Sequence, residues 1–131
     1  MIDHQTLLPP GWKRPKGYAN GIAASGRMVF TAGVVGWDPD ERFVADDIGG
    51  QFRQVLVNTL AILAQADAGP EHIARMTWYV TSRDAYLAAL PAIGDAYREL
   101  IGRHFPAMAV VEVAALVEPA ALIEIETIAV V

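Results

Sequence analysis

The last quarter of the chain carries the pattern that most constrains the fold: two β-rich runs on either side of an Ala, Pro and Glu connection. The runs cover residues 107–113 and 122–131. Side chains alternate between the two faces of a strand, so Glu124 and Glu126 share one face. The opposite face takes Ile123, Ile125 and Thr127. The pattern predicts a strand with an apolar face, and a carboxylate in that setting needs a partner, water or a chemical role.

A helix of about twenty residues is predicted ahead of these runs, because apolar residues recur there at helical spacing. Asp46 or Asp47 can cap its N-terminus, and Gly69 with Pro70 favours its end. The polar positions, expected on its solvated side, are Gln51, Arg53, Gln54 and Asn58.

A strand and a second helix follow. Residues 73–81 alternate between apolar and polar side chains, which is typical of a strand with one buried face. Ser82 or Asp84 can cap the next helix. Pro91 lacks an N–H and crowds the preceding turn, so we expect a kink or a fresh start near Leu90.

The N-terminal part completes the element order. Residues 1–17 hold several Pro and Gly residues, and we expect an extended N-terminal arm. Gly26 separates two short β-favouring runs and predicts a hairpin. Residues 1–131 therefore form a single domain with the order ββαβαββ, an α+β fold whose helices pack on one face of the sheet.

Composition narrows the classes of partner. The net charge of −5 and the pI near 5.0 argue against a nucleic-acid partner. The chain has no cysteine, no apolar stretch near the roughly 20 residues that span a bilayer, and no secretory signal pattern at its start. We expect a cytoplasmic protein without membrane contact. Its apolar content of 53% predicts a subunit that buries surface against copies of itself.

Few residues offer chemistry. His4, His72 and His104 lie in no metal-ligand spacing, and the chain has neither a serine-nucleophile nor a phosphate-binding motif, so we expect no metal and no cofactor. Glu124 remains, together with Glu112, Glu126 and Tyr18. A strand glutamate is more often solvated or salt-bridged than a general base.

Several sequence blocks together resemble the Rid family, also known as the YjgF or RidA-like family and, in older naming, as endoribonuclease L-PSP. The resemblance runs from about Tyr18 to the C-terminus. The matching blocks are G-R-M-V-F-T-A-G at 26–33, Gln51 and Asn58, F-P-A at 105–107, V-E-V-A at 111–114 and I-E-I-E-T-I-A-V at 123–130.

This resemblance implies a chorismate-mutase-like subunit that assembles as a homotrimer with three equivalent clefts between protomers. In deaminating members, the cleft binds a 2-imino acid made by pyridoxal-phosphate enzymes and hydrolyses it to a 2-oxo acid and ammonia. An arginine directly after F-P-A holds the substrate carboxylate through two charge-assisted hydrogen bonds. Met108 stands at that position here and has no donor to offer.

The other cleft positions divide into two groups. Tyr18, the Gly33 backbone and Glu124 match the family pattern, with Glu124 in the water-activating role. Val110 replaces a small polar or cysteine residue, and Pro91 replaces an asparagine. The resemblance thus implies a small-molecule cleft without efficient 2-imino-acid deaminase activity, for a metabolite that carries less charge.

Two other functions stay open. In the first, Glu124 still activates water against an imine or enamine, and another cation, from this or a neighbouring protomer, replaces the missing arginine. The candidates for that cation are Arg14, Arg27, Arg75 and Arg103. In the second, the trimer is a non-catalytic interaction or chaperone-like protein.

Overall fold

A five-stranded mixed sheet carries the helices on one of its faces in the computed structural model, which describes residues 4–131. The strands are β1 Gln5–Thr6, β2 Ile22–Ala23, β3 Met28–Phe30, β4 Val34–Val35, β5 Ile73–Val80, β6 Ala107–Glu112 and β7 Ile123–Val130. The helices are α1 Ile48–Ala64, α2 Arg83–Ala88 and α3 Leu90–Leu100, with a 3₁₀ turn at Pro70–His72. The predicted arm begins in residues 1–3, outside the described residues, and continues with β1.

The main sheet has the order β3-β7-β5-β6, and β4 also pairs with β7. β5 lies between an antiparallel partner, β7, and a parallel partner, β6. β1 pairs with β2 in a separate two-stranded sheet. The predicted α+β fold with helices on one face of a mixed sheet is confirmed.

Alternate residues of the two central strands form the sheet side of the core. Met76 and Trp78 of β5 and Ile125 of β7 are buried, as the alternation predicted. They pack under α1, where the Phe52 ring lies 4.8 Å from the Trp78 ring between centroids. Burying such large apolar side chains is the main favourable term in folding.

The helix starts follow the predicted capping residues. The Asp47 carboxylate accepts a hydrogen bond from the Gly50 N–H at 3.3 Å, and the Ser82 hydroxyl accepts one from the Ala85 N–H at 3.1 Å. The predicted fresh start is confirmed, because α2 ends before α3 begins at Leu90 with Pro91 in its first turn. Proline lacks a backbone N–H, and the first turn of a helix loses nothing by this because N–H groups there have no partner within the helix.

The hairpin predicted around Gly26 is wrong. β2 pairs with β1, and β3 pairs with β7 at the other end of the chain. Arg27 exchanges two backbone hydrogen bonds of 2.9 Å with Val131. Gly26 has a φ of +141°, and a Cβ there would lie 2.4 Å from the Val131 carbonyl oxygen, so glycine allows the C-terminal strand to come this close.

The prediction that the polar residues of α1 face solvent is also wrong, except for Arg53. Gln51 is fully buried: its Nε2 donates to the carbonyls of Ala45 at 3.1 Å and Ala120 at 2.9 Å, and its Oε1 accepts from the Leu122 N–H at 2.8 Å. Gln54 donates to Asn58, and Asn58 in turn donates to two carbonyls of the β4 segment. These amides satisfy loop backbone groups that would otherwise be buried without partners.

Gln51→Ala removes all three of these hydrogen bonds and leaves a space in the core. We expect the free energy of unfolding to fall by about 2 to 4 kcal/mol, measured by urea denaturation at a fixed protomer concentration. Gln65→Ala, at the exposed C-cap of α1, is the control and should change it by less than about 0.5 kcal/mol. Equal effects of the two substitutions would contradict the bridging role of Gln51.

Candidate ligand-binding site

A cavity of about 760 Å³ opens beside the edge strand β6, between the sheet, α3 and the N-terminal arm. This volume falls in the range of roughly 300 to 1,000 Å³ that is common for small-molecule sites. Most of the wall is apolar or aromatic, and its central residues are Trp78, Tyr86, Tyr97, Phe105, Met108 and Val110.

The strand register explains why Met108 and Val110 form the floor of this cavity. In the parallel pairing of β5 with β6, Met108 lies beside Met76 and Val110 beside Trp78. Paired residues of neighbouring strands point to the same face of the sheet. Both side chains therefore face the helices, and no charged group lies between them on that face of β6.

The aromatic walls are held by packing and by one buried hydroxyl. The rings of Tyr97 and Phe105 stack at 6.1 Å between centroids, and Trp78 meets Tyr86 edge to face at 6.4 Å. The Tyr97 hydroxyl donates to the His104 carbonyl, and burial raises the pKa of Tyr97. It therefore stays protonated and keeps this hydrogen bond at neutral pH.

Tyr18 reaches the cavity because the arm is bound to the start of β6. The Ala19 N–H donates to the Pro106 carbonyl at 2.9 Å, and Ala19 pairs in parallel with Ala107. Tyr18 lies at the cavity wall with its side chain 42% exposed. Three predicted site residues, Tyr18, Met108 and Val110, thus share one cavity.

Glu124 and Gly33 lie together on the opposite face of the sheet. A Cβ at Gly33 would lie 2.3 Å from the Glu124 Oε2, so the carboxylate packs directly against the glycine backbone. On the same face, the Tyr79 hydroxyl donates to Glu126 at 2.7 Å. That hydrogen bond, with desolvation and the charges of both glutamates, raises the pKa of Tyr79.

The other predicted residues lie outside the cavity wall. Pro91 is exposed in the first turn of α3, although its neighbour Leu90 lines the cavity. Glu112 accepts a hydrogen bond from the Arg83 N–H at 2.7 Å and so caps α2. Its role is structural.

None of the four arginines predicted as replacement cations lines the cavity. Arg27 donates to the Ala66 carbonyl at 2.7 Å, and Arg75 lies with Glu126 on the open face of the sheet. Arg14 and Arg103 line an adjoining groove that shares Tyr18 and Phe105 with the cavity.

Two cations that the sequence analysis did not single out do line the cavity, Lys16 from the arm and Arg98 from α3. Leu90, Gly94 and Arg98 all lie on the cavity side of α3, and residues four apart share a helix face. That spacing was the available signal. The sequence does not show which face of α3 lines the cavity, and the position of Leu90 at the cavity wall settles that.

Among residues 4–131, no group of three or more His, Asp or Glu side chains is placed to hold a metal ion. Within the same residues, no helix is long and apolar enough to cross a membrane. The site as described is an apolar cavity with cations at its mouth.

A mixed sheet covered by helices on one face, with a cavity beside its edge strand, defines the chain as a small α+β protein. Within it, the family model "Endoribonuclease L-PSP" matches residues 12–131. This chain belongs to that family, the Rid family, as its sequence motifs predicted.

Relatives and solved structures agree with this assignment. The chain is 36% identical over 113 residues to the 2-iminobutanoate/2-iminopropanoate deaminase of Salmonella typhimurium, covering 86% of each chain. It is 32% identical to a RutC family protein of Synechocystis, over 96% of this chain and 93% of that one. The crystal structure of the Rid-family protein YyfB from Yersinia pestis superposes with a TM-score of 0.86 at 30% identity, covering 99% of this chain and 100% of that one.

Proposed function

We propose that this protein is a ligand-binding Rid-family member without efficient 2-imino-acid deaminase activity, and that its cavity takes a small metabolite whose buried end is uncharged. The observation that carries the proposal is the floor of the cavity. Met108 and Val110 face it together, and the family resemblance gives an arginine to the first of these positions.

The physical reason is the cost of an unpaired charge. A methionine thioether donates no hydrogen bond, so a carboxylate placed on this floor would lose water without gaining a partner. Removing one partner of a buried, hydrogen-bonded charge pair costs roughly 2 to 5 kcal/mol. A 2-imino acid held in the family's orientation would be bound too weakly for efficient turnover.

We further propose that the working site lies between protomers of a homotrimer. One protomer places Tyr18 and Met108 on the helix side of the sheet and Glu124 on the opposite side. A neighbouring protomer that places its Gly33 and Glu124 against the cavity would bring all the predicted cleft residues except Pro91 into one site. The sheet face without helices and the exposed Met28 and Phe30 of β3 offer apolar surface for such an assembly.

The assembly predicts a solution mass of three times the 14.1 kDa of one chain. Light scattering coupled to size-exclusion chromatography measures it directly. Phe30→Asp places a charge on the exposed apolar strand and should lower the mass, whereas Leu87→Asp, on the exposed side of α2, should not. A monomer at micromolar concentration would contradict the proposed cleft.

Met108→Arg tests the missing donor. We expect it to raise the rate of 2-iminopropanoate hydrolysis at least about tenfold, because an arginine fork on the floor can pair with the substrate carboxylate. Ammonia release is measured while the imine is generated in place. The matched control is Val57→Arg, which adds the same charge to the exposed side of α1, away from the cavity. Equal rates in both variants would show that Met108 is not what limits the reaction.

A second candidate function is hydrolysis of an imine or enamine with Glu124 activating the water. The contact of its carboxylate with Gly33 favours it, because a carboxylate fixed against backbone is oriented as a general base should be. Glu124→Gln in the Met108→Arg background should abolish the gained rate while the solution mass stays unchanged. A retained rate would exclude the general-base role.

Three further expectations remain predictions made from the sequence. They are a cytoplasmic location, a small-molecule partner, and no nucleic-acid or membrane partner. The name of the Salmonella relative assigns a deaminase reaction to that protein. For this chain, that name supplies only the test substrate, 2-iminopropanoate.

A further inference from the structure

Positive charge gathers at the cavity although the chain as a whole is acidic. Lys16 and Arg98 line the cavity, and Arg14 and Arg103 line the groove that adjoins it. Among the described residues, no Asp or Glu lines either one. With a net charge of −5 over the chain, this local excess of cations attracts anions to the cavity mouth.

Gly94 makes room for the guanidinium of Arg98 at the cavity. The Arg98 Nη1 lies 3.3 Å from the point where a Cβ of Gly94 would be, so a side chain there would crowd the guanidinium. A glycine inside a helix costs about 1 kcal/mol relative to alanine, and the space over Gly94 is where the guanidinium lies. A side chain at this position would press on the tip of the arginine, and glycine leaves the guanidinium undisturbed.

Arg98 keeps donors free for a ligand. Its one recorded partner among the described residues is the Asp95 carboxylate, which accepts from a single nitrogen, Nη2. A guanidinium carries five N–H donors in a planar fork. The pair with Asp95 therefore orients the fork and leaves donors for an acceptor with two oxygens. Lys16 has no ion pair recorded among residues 4–131 and adds a second charge.

The cavity is thus polar at one end only. Its interior offers the rings of Trp78, Tyr86 and Tyr97 over a floor of Met108 and Val110, and its mouth offers two cations. Rings prefer to pack edge-to-face or offset against other rings, so an aromatic body fits these walls. A small acid such as propanoate can pair with the cations at the mouth, but it is too short to contact the aromatic rings of the interior.

We infer that the ligand is an aromatic carboxylic acid that inserts its ring between the aromatic walls and leaves its carboxylate at the mouth, on Arg98 and Lys16. This rests on the proposed function, because an uncharged floor is what admits the ring. Arg98 is then the residue that sets specificity for an acid. The acid group lies at the opposite end of the site from the position that Met108 occupies.

Three probes of related shape test this by calorimetric titration of the full chain: 3-phenylpropanoate, its amide 3-phenylpropanamide, and propanoate. We expect the unmodified protein to bind the aromatic acid about five- to tenfold more tightly than the amide, the scale of one exposed charge-assisted contact. That preference should shrink in high salt. Propanoate should bind more weakly than the amide.

Arg98→Gln should remove most of the preference for the aromatic acid, Arg98→Gln combined with Lys16→Gln should remove all of it, and both variants should leave the affinity for the amide unchanged. Arg53→Gln, the same charge change at an exposed arginine of α1 that pairs with Glu99, is the matched control and should keep the preference.

Equal affinity of acid and amide for the unmodified protein, a preference that Arg98→Gln leaves undiminished, or no binding of either aromatic probe would each overturn the inference. The proposed function fails on a different readout, equal rates of imine hydrolysis in Met108→Arg and Val57→Arg. The two failures are therefore distinguishable.

Discussion

The pairing of β5 on both of its edges is the constraint on which the rest of the structure depends. Its register with β7 buries Ile123 and Ile125 under α1, and its register with β6 turns Met108 and Val110 to the same side. A shift of one residue in either pairing would exchange the two faces of a strand. The apolar core and the floor of the cavity are therefore set by the same hydrogen bonds.

That arrangement places the apolar cavity and the carboxylates on opposite faces of the sheet in one protomer. The cavity side is apolar and aromatic, with cations only at its mouth, whereas the carboxylates of Glu124 and Glu126 lie on the other face of the sheet. A reaction that needs both must bring a second protomer to the cavity. Binding of an uncharged or aromatic group needs only the cavity, which is why binding is the function that the geometry supports best.

Local patterns predicted most of the fold, and contacts distant in sequence account for the errors. Some features depend only on neighbouring residues and were predicted correctly from the sequence. They are the strand alternation in 73–81 and 122–131, the Asp47 cap and the break before Pro91. The hairpin at Gly26 failed because Val131 competes for Arg27, and Gln51 was misassigned because its partners near Ala120 are some 70 residues away in sequence. For the site, motifs pointed to Tyr18 and Met108, but the position of Arg98 at the same cavity is visible only in the folded chain.

The most direct test of the central claim is the rate of 2-iminopropanoate hydrolysis by the unmodified protein, measured beside the Salmonella relative that is named for this reaction. Loss of about 2 kcal/mol of carboxylate binding corresponds to roughly a thirtyfold lower kcat/KM. The account predicts a rate at least that much below the relative's. A rate equal to the relative's would mean that the carboxylate is held without a donor at Met108, and the account would be wrong.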